Sequence, residues 1–187
     1  MNWNTPKLIT AGSLGVLYVV LALFGAGLQA VLGFPLASGI INIFTSAAIL
    51  AFCCLLLNQF WSATIMMFVY GVIALPLPVM GTPGFLPKIL IGISVGIVVD
   101  GIYIFLKPKE KIASLVIGAV SQVVMAIEIL GLGMLFSIPG IEKALEIFLT
   151  PLVIIATIIC GAIGGYIGYF IFNKLRNTAV VLKIQGK

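Results

Sequence analysis

The sequence predicts an all-α membrane protein, a single domain over residues 1–187 folded as a bundle of six transmembrane helices. The first observation is composition: 62% of the residues are hydrophobic and 8% are charged, whereas a soluble domain carries about 25% charged residues. The second is the arrangement of the apolar residues in six long unbroken runs, without the alternation of a β-barrel. At roughly 20 residues per span, six helices leave no room for a soluble catalytic or nucleic-acid-binding domain.

The first three predicted spans cover approximately residues 8–28, 36–57 and 60–77. A Gly-Phe-Pro turn at 33–35 separates the first two spans, and Asn58 and Gln59 make a very short break before the third. The first run is long and is followed directly by another apolar run. We therefore expect a retained helix and not a cleaved signal peptide.

The last three predicted spans cover approximately residues 87–106, 112–136 and 147–172. A proline- and glycine-rich loop, MGTPGFLP, leads into the fourth span, which has proline in its first turn. The sharpest polar break in the chain is KPKEK at 107–111, between the fourth and fifth spans. A short amphipathic stretch, IEKALE, leads into the sixth.

The basic residues predict the orientation of the bundle. Six spans place both termini on one side, and that side also carries the KPKEK segment. It therefore holds eight basic residues: Lys7, Lys107, Lys109, Lys111, Lys174, Arg176, Lys183 and Lys187. The opposite side holds Lys88 and Lys143. The positive-inside rule then predicts a multi-pass protein of the cell membrane with both termini in the cytoplasm. It also explains the net charge of +5 without a nucleic-acid partner.

The sequence contains none of the usual signatures of an enzyme. Histidine is absent, and Cys53, Cys54 and Cys160 all lie inside apolar runs, where cysteine acts as a small hydrophobic residue. There is no Walker A sequence and no pair of catalytic carboxylates. We therefore expect a protein that is not an enzyme and that carries no metal or other cofactor.

Glu128 is the strongest candidate for a contact with a ligand. It lies about 24 Å along the predicted fifth helix, without a basic residue one turn away on either side. A carboxylate at that depth is expected to face the bundle interior or a water-filled cavity. Gln122 lies on the same helix and is a further candidate. The alternative for Glu128 is a structural pair with a partner such as Asn42 or Lys88.

Three more polar positions lie inside the predicted spans. Lys88 begins the fourth span and either lines the mouth of an outward-facing cavity or extends to lipid headgroups. Asn42 is a weaker candidate for the same cavity, as is the region from Trp61 to Tyr70. Asp100 lies near the cytoplasmic end of the fourth span, where it is either a paired carboxylate at the interface or a group with a coupling or partner-contact role.

Small residues at helical spacing mark close contacts between helices. They are Ala11 and Gly15 on the first span, Gly92 and Gly96 on the fourth, and Gly161, Gly165 and Gly168 on the sixth. Such spacing is common in polytopic proteins, so packing within the chain is the simplest interpretation of each. A contact with a partner protein is the alternative.

Three segments resemble the substrate-binding S components of energy-coupling factor (ECF) transporters, the vitamin-uptake class of ABC importers. They are KLITAGSLGVLYVVLALFG on the first span, PGFLPKILIGISVGIVVDGIYIFL on the fourth, and GAIGGYIGYFIFNKL at the end of the sixth. The chain length of 187 residues, the six spans and the cytoplasmic termini are also typical of that family.

The resemblance implies a specific transport mechanism. S components bind a vitamin or vitamin precursor in a pocket at the outer ends of helices four to six. They hand it to a transmembrane coupling protein driven by two ATPases. The family's small AxxxA pattern, which lies against the coupling protein, maps here to Ala11 and Gly15, with glycine in place of the second alanine. The family's ligand residues vary with substrate, so Glu128, Lys88, Asn42 and Gln122 are predicted from depth and polarity alone.

Substrate and function retain alternatives at this point. A buried acidic group favours a cationic or donor-rich ring and thus, slightly, thiamine or its pyrimidine precursor over riboflavin, biotin or another vitamin. A stand-alone secondary transporter would use Glu128 and Asp100 as proton-coupling groups. A non-transporting scaffold subunit would need no polar site, and a membrane enzyme would need an acid–base or metal cluster at the headgroups.

Overall fold

The computed structural model describes residues 3–32, 37–138 and 140–186, and it is built almost entirely from helices. The described residues form eight α-helices: α1 (Thr5–Leu32), α2 (Ala37–Leu57), α3 (Ser62–Ala74), α4 (Pro87–Leu106), α5 (Glu110–Leu135), α6 (Ile141–Phe148), α7 (Pro151–Leu175) and α8 (Ala179–Gln185). A single turn of 3-10 helix, Lys107–Lys109, joins α4 to α5. The predicted turn at 33–35, Pro139 and the terminal Lys187 lie outside the described residues.

Several of these helices are long and apolar enough to cross a membrane. Among the described residues, the stretches that qualify by length and composition are Thr5–Leu28, Gly39–Leu57, Pro87–Leu135 and Pro151–Leu175. The third stretch contains both α4 and α5. The fold is therefore all-helical, with apolar helices compatible with a membrane protein.

The third predicted span differs from the structure in length. Helix α3 has 13 residues and measures about 20 Å, less than the roughly 30 Å of a bilayer core. Pro76 and Pro78 follow its end, and proline cannot continue a helix because it lacks the N–H donor. A series of turns then leads to α4.

The amphipathic stretch before the last long helix forms a helix of its own, α6. Gly140 precedes it with a φ of 81°, a left-handed conformation that suits glycine. Pro151 begins α7 immediately afterwards. The bends at both ends separate α6 from its neighbours, so the predicted sixth span begins later than expected, at Pro151.

Glycines on α7 bring it close to two other helices. Gly164 packs on the backbone of Phe44, and Gly168 packs on the backbone of Ala48, both in α2. Gly161 contacts the carbonyl of Gly118 in α5. Because glycine lacks a Cβ, the helix backbones approach directly, and α2, α5 and α7 form one tightly packed group.

A second close-packed group consists of α1, α3 and α4. Gly15 of α1 faces the carbonyl of Met66 in α3, and Gly92 and Gly96 of α4 face Met67 and Thr64 in the same helix. The short helix α3 is thus held between two longer ones. The small-residue motifs on α1, α4 and α7 all make contacts within the chain.

Candidate functional site

A cavity of about 470 Å³ lies among α1, α2, α3, α5, α6 and α7. Its volume is within the range of small-molecule pockets in proteins, roughly 300–1,000 Å³. The polar side chains that line it are Tyr18, Asn42, Ser46, Tyr70, Gln122 and Thr157. None of the described residues that line it is a lysine, arginine, aspartate or glutamate.

One part of the cavity wall is a hydrogen-bonded polar cluster. The hydroxyl of Ser46 in α2 lies 3.0 Å from Oε1 of Gln122 in α5 and 2.6 Å from the backbone carbonyl of Asn42. Nε2 of Gln122 donates to the hydroxyl of Ser121 at 3.1 Å. Because Gln122 is only 4% exposed, these bonds fix its orientation.

Two tyrosines extend this polar cluster toward α3. The rings of Tyr18 and Tyr70 are stacked with centroids 4.0 Å apart and planes 16° from parallel. The Tyr18 side chain also interacts with Ser46. Both rings are 2% exposed, so they form a rigid part of the wall.

The amide of Asn42 contains an unused acceptor. Its Oδ1 is buried and accepts no hydrogen bond from the described residues. A buried polar atom without a partner costs about 1–3 kcal/mol. Asn42 also lines the cavity, but its Oδ1 lies buried beside Gly25 of α1 and is not presented to a ligand.

The rest of the wall is apolar. It includes Met125, Ile129 and Leu130 of α5, Val153 of α7, and Ile147 and Phe148 of α6. Helix α6 covers this part of the cavity with one face, while Glu142, Lys143 and Glu146 on its other face are exposed. The cavity wall therefore consists of a polar cluster on one part and an apolar region on another.

The structure brings together two of the four predicted ligand residues. Both residues, Asn42 and Gln122, line the cavity, where the hydroxyl of Ser46 lies close to the backbone carbonyl of Asn42 and to Oε1 of Gln122. Glu128 and Lys88 do not line the cavity. Tyr18, Ser46 and Thr157 line it without having been predicted, since isolated hydroxyls in apolar helices carry no periodic signal.

Glu128 is half-buried between α4 and α5. Its Oε2 accepts a hydrogen bond of 2.6 Å from the hydroxyl of Ser94 in α4. The predicted tertiary partners were Asn42 and Lys88, but the observed partner is Ser94. Glu128 therefore links two neighbouring helices outside the cavity.

Lys88 is fully buried and holds the carboxyl end of α3. Its Nζ donates to the carbonyl of Ala74 at 3.0 Å and to that of Leu77 at 2.7 Å. The last carbonyls of a helix have no partner within the helix. The lysine supplies that partner, and its charge complements the negative end of the helix dipole.

Asp100 performs the opposite role at the amino end of α3. Its carboxylate is fully buried and accepts from the N–H groups of Ala63 and Thr64, each at 3.0 Å, and from the hydroxyl of Thr64 at 2.7 Å. These N–H groups are free donors of the first helical turn. Helix α4 thus supplies a counter-charge to each end of the short helix α3.

The two residues predicted to contact a partner protein lie inside the chain. Ala11 is 0% exposed, and Gly15 is buried against the Met66 carbonyl of α3. Their observed neighbours are therefore internal helices.

Comparison with known proteins identifies no relative of this chain. No known protein family, curated protein or solved structure matches it. Among the described residues there is no group of three or more metal-ligating side chains of the histidine, cysteine, aspartate or glutamate type.

Proposed function

We propose that this chain is the substrate-binding S component of an ECF-type importer, capturing a vitamin or vitamin precursor from outside the cell. The observation that carries the proposal is the cavity of about 470 Å³ with its polar cluster. A scaffold subunit needs no such space, because its interior is expected to be filled by side chains. A pocket of this size with a few convergent polar groups is typical of a small-molecule site.

The proposed orientation places the cavity toward the outside. The polar residues that line it include Asn42 near the start of α2 and Thr157 near the start of α7. Gln185 of α8 donates to the carbonyls of Leu55 and Leu56 at the other end of α2. The carboxyl-terminal helix therefore packs at the end of α2 that lies away from Asn42. The positive-inside rule assigns that end to the cytoplasm.

In the proposed cycle, the substrate binds in the cavity beneath α6. A transmembrane coupling protein and two ATPases then drive its release into the cytoplasm. The chain's own contribution is recognition, through Asn42, Gln122 and the hydroxyl groups beside them. The sequence slightly favoured thiamine because it predicted an acidic ligand residue. Since Glu128 lies outside the cavity, thiamine is not favoured over other substrates.

The proposal is tested by reconstitution. The chain is co-expressed with the ECF coupling protein and the two ATPases, purified, and placed in proteoliposomes with or without internal ATP. We expect the four proteins to purify together, and uptake of a bound substrate to require ATP on the side of the ATPases. A protonophore should leave uptake unchanged.

Two outcomes would contradict the proposal. Uptake by the chain alone that is abolished by a protonophore would instead establish a proton-coupled transporter. In that case the half-buried Glu128 is the first residue to examine. A chain that neither binds a substrate nor associates with the coupling proteins would instead be a scaffold subunit.

A further inference from the structure

We infer that the cavity selects an uncharged ligand with a hydrogen-bond acceptor and a mainly apolar body. This inference rests on the proposed function, because it specifies the substrate class of the same site. It follows from three properties of the wall: the absence of charged groups, the pairing of polar atoms, and the position of the apolar surface.

The first property is charge. The described wall contains amide, hydroxyl and phenol groups but no ammonium, guanidinium or carboxylate group. A charged ligand would lose its hydration without gaining a counter-charge, and burying an unpaired charge costs several kcal/mol. The nearest predicted charges are committed elsewhere: Lys88 donates to two carbonyls of the segment 74–77, and Glu128 accepts from Ser94.

The second property is the pattern of hydrogen-bonding atoms. Asn42 Oδ1 is buried beside Gly25 of α1, so it is not presented to a ligand. Gln122 lines the cavity, and its Oε1 already accepts from Ser46. Nε2 of Gln122 has two hydrogens, and one of them bonds to the hydroxyl of Ser121. A ligand with a hydrogen-bond acceptor, such as a carbonyl group, can pair with the other hydrogen.

The third property is the apolar region of the wall. Met125, Ile129 and Phe148 offer flexible thioether, branched and aromatic surfaces. Methionine adapts to irregular shapes, and apolar contact contributes about 25 cal/mol per Å² of buried area. A ring or short apolar body fits this region, while the acceptor group of the ligand lies at the polar cluster.

The experiment uses two sets of compounds that share a ring and differ in charge. The first set is nicotinamide, nicotinate and 1-methylnicotinamide, which are neutral, anionic and cationic. The second is riboflavin and its phosphate ester, flavin mononucleotide. Dissociation constants are measured by calorimetry and by thermal stabilisation of the intact protein in mild detergent, with thiamine as a further cationic probe.

We expect at least one neutral probe to bind, and to bind at least a hundredfold more tightly than the charged members of its set. Gln122→Leu should weaken that binding about tenfold to a hundredfold, because it removes the donor to the ligand. Glu128→Gln, on the same helix as Gln122 but outside the cavity, is the control and should leave the dissociation constant within twofold of the original. Thermal unfolding of the free variants shows whether each one folds.

Other results would overturn the inference. They are tighter binding of a charged probe than of its neutral partner, binding of neither neutral probe, or native mass spectrometry showing a phospholipid held in the cavity. A charged substrate that is imported with ATP would refute the ligand class and leave the importer intact. Neutral binding without any ATP-dependent uptake would refute the import function alone.

Discussion

Glu128 and Gln122 lie on the same helix but belong to different environments. Six residues separate them, which places their side chains about 120° apart around a helix of 3.6 residues per turn. Gln122 faces Ser46 and the cavity, whereas Glu128 faces Ser94 of α4. The sequence indicated that a carboxylate at this depth needs a polar partner. It did not indicate which helix supplies one, because that depends on tertiary packing.

We predict that Glu128→Gln changes stability by less than about 1 kcal/mol. The amide oxygen of glutamine can accept the same hydrogen bond from Ser94 that the carboxylate accepts. The melting temperature of the purified variant in detergent measures this effect. Ser94→Ala, which removes the donor while leaving Glu128 in place, is the informative comparison. A loss of several kcal/mol on Glu128→Gln would show that the negative charge itself has an unrecognised partner.

Glycines on a single helix differ in their tolerance of a methyl group. A Cβ at Gly118 would collide with the backbone of Gly161 in α7, whereas a Cβ at Gly131 would meet no atom within 4 Å. We expect Gly118→Ala to destabilise the protein by about 1–3 kcal/mol through overpacking. Gly131→Ala should be neutral or stabilising by about 0.5–1 kcal/mol, because alanine favours the helix. Thermal unfolding of both variants checks this, and equal melting temperatures would contradict the close α5–α7 contact.

At the scale of the element, α3 is the apolar helix that depends most on partners from a neighbouring helix. It is short, and both of its ends are buried, so its free N–H and carbonyl groups need partners from outside the helix. Asp100 and Lys88 of α4 provide them. Since α3 carries Tyr70 to the cavity, this clamp also positions part of the site.

We predict that Asp100→Ala and Lys88→Met each destabilise the protein by at least about 2 kcal/mol. Each variant leaves two backbone groups of the α3 segment without a partner, at about 1–3 kcal/mol per group. Asp100→Asn retains one acceptor oxygen and should fall between Asp100→Ala and the original. Lys109→Ala, on the exposed 3-10 turn, is the control and should have little effect. Melting temperatures that do not distinguish Lys88→Met from Lys109→Ala would refute the clamp.

Much of the helical framework was predictable from the length of the apolar runs and from the prolines and glycines between them. An apolar run of about 20 residues in a membrane forms a helix because its backbone groups must then bond to one another. The break at KPKEK and the separate amphipathic segment IEKALE are local features, and both have structural counterparts in the 3-10 turn and α6. The clamp and the cavity were not predictable in this way. They depend on which helices meet, and residues such as Ser46 and Gln122 are 76 positions apart.

For the whole molecule, we predict that both termini lie in the cytoplasm and that the loop at 81–84 lies outside. Reporter fusions in a bacterial host test this. Green fluorescent protein fluoresces when it folds in the cytoplasm, so a fusion to the carboxyl terminus should fluoresce. Alkaline phosphatase is active outside the cytoplasm, so an insertion in the loop should be active. The reverse pattern would contradict the orientation derived from the lysines and place the cavity toward the cytoplasm.

The central claim is that the cavity beneath α6 is the substrate site of an ATP-driven importer. Ala126 lines the cavity, and Ala156 is an exposed residue of α7 that does not line it. The most direct measurement is ATP-dependent uptake into proteoliposomes that contain the coupling protein and ATPases, with Ala126→Trp or Ala156→Trp in this chain. We predict that Ala126→Trp fills the cavity and abolishes uptake, while the Ala156→Trp variant transports normally. Full uptake by a folded Ala126→Trp variant would show that the substrate binds elsewhere.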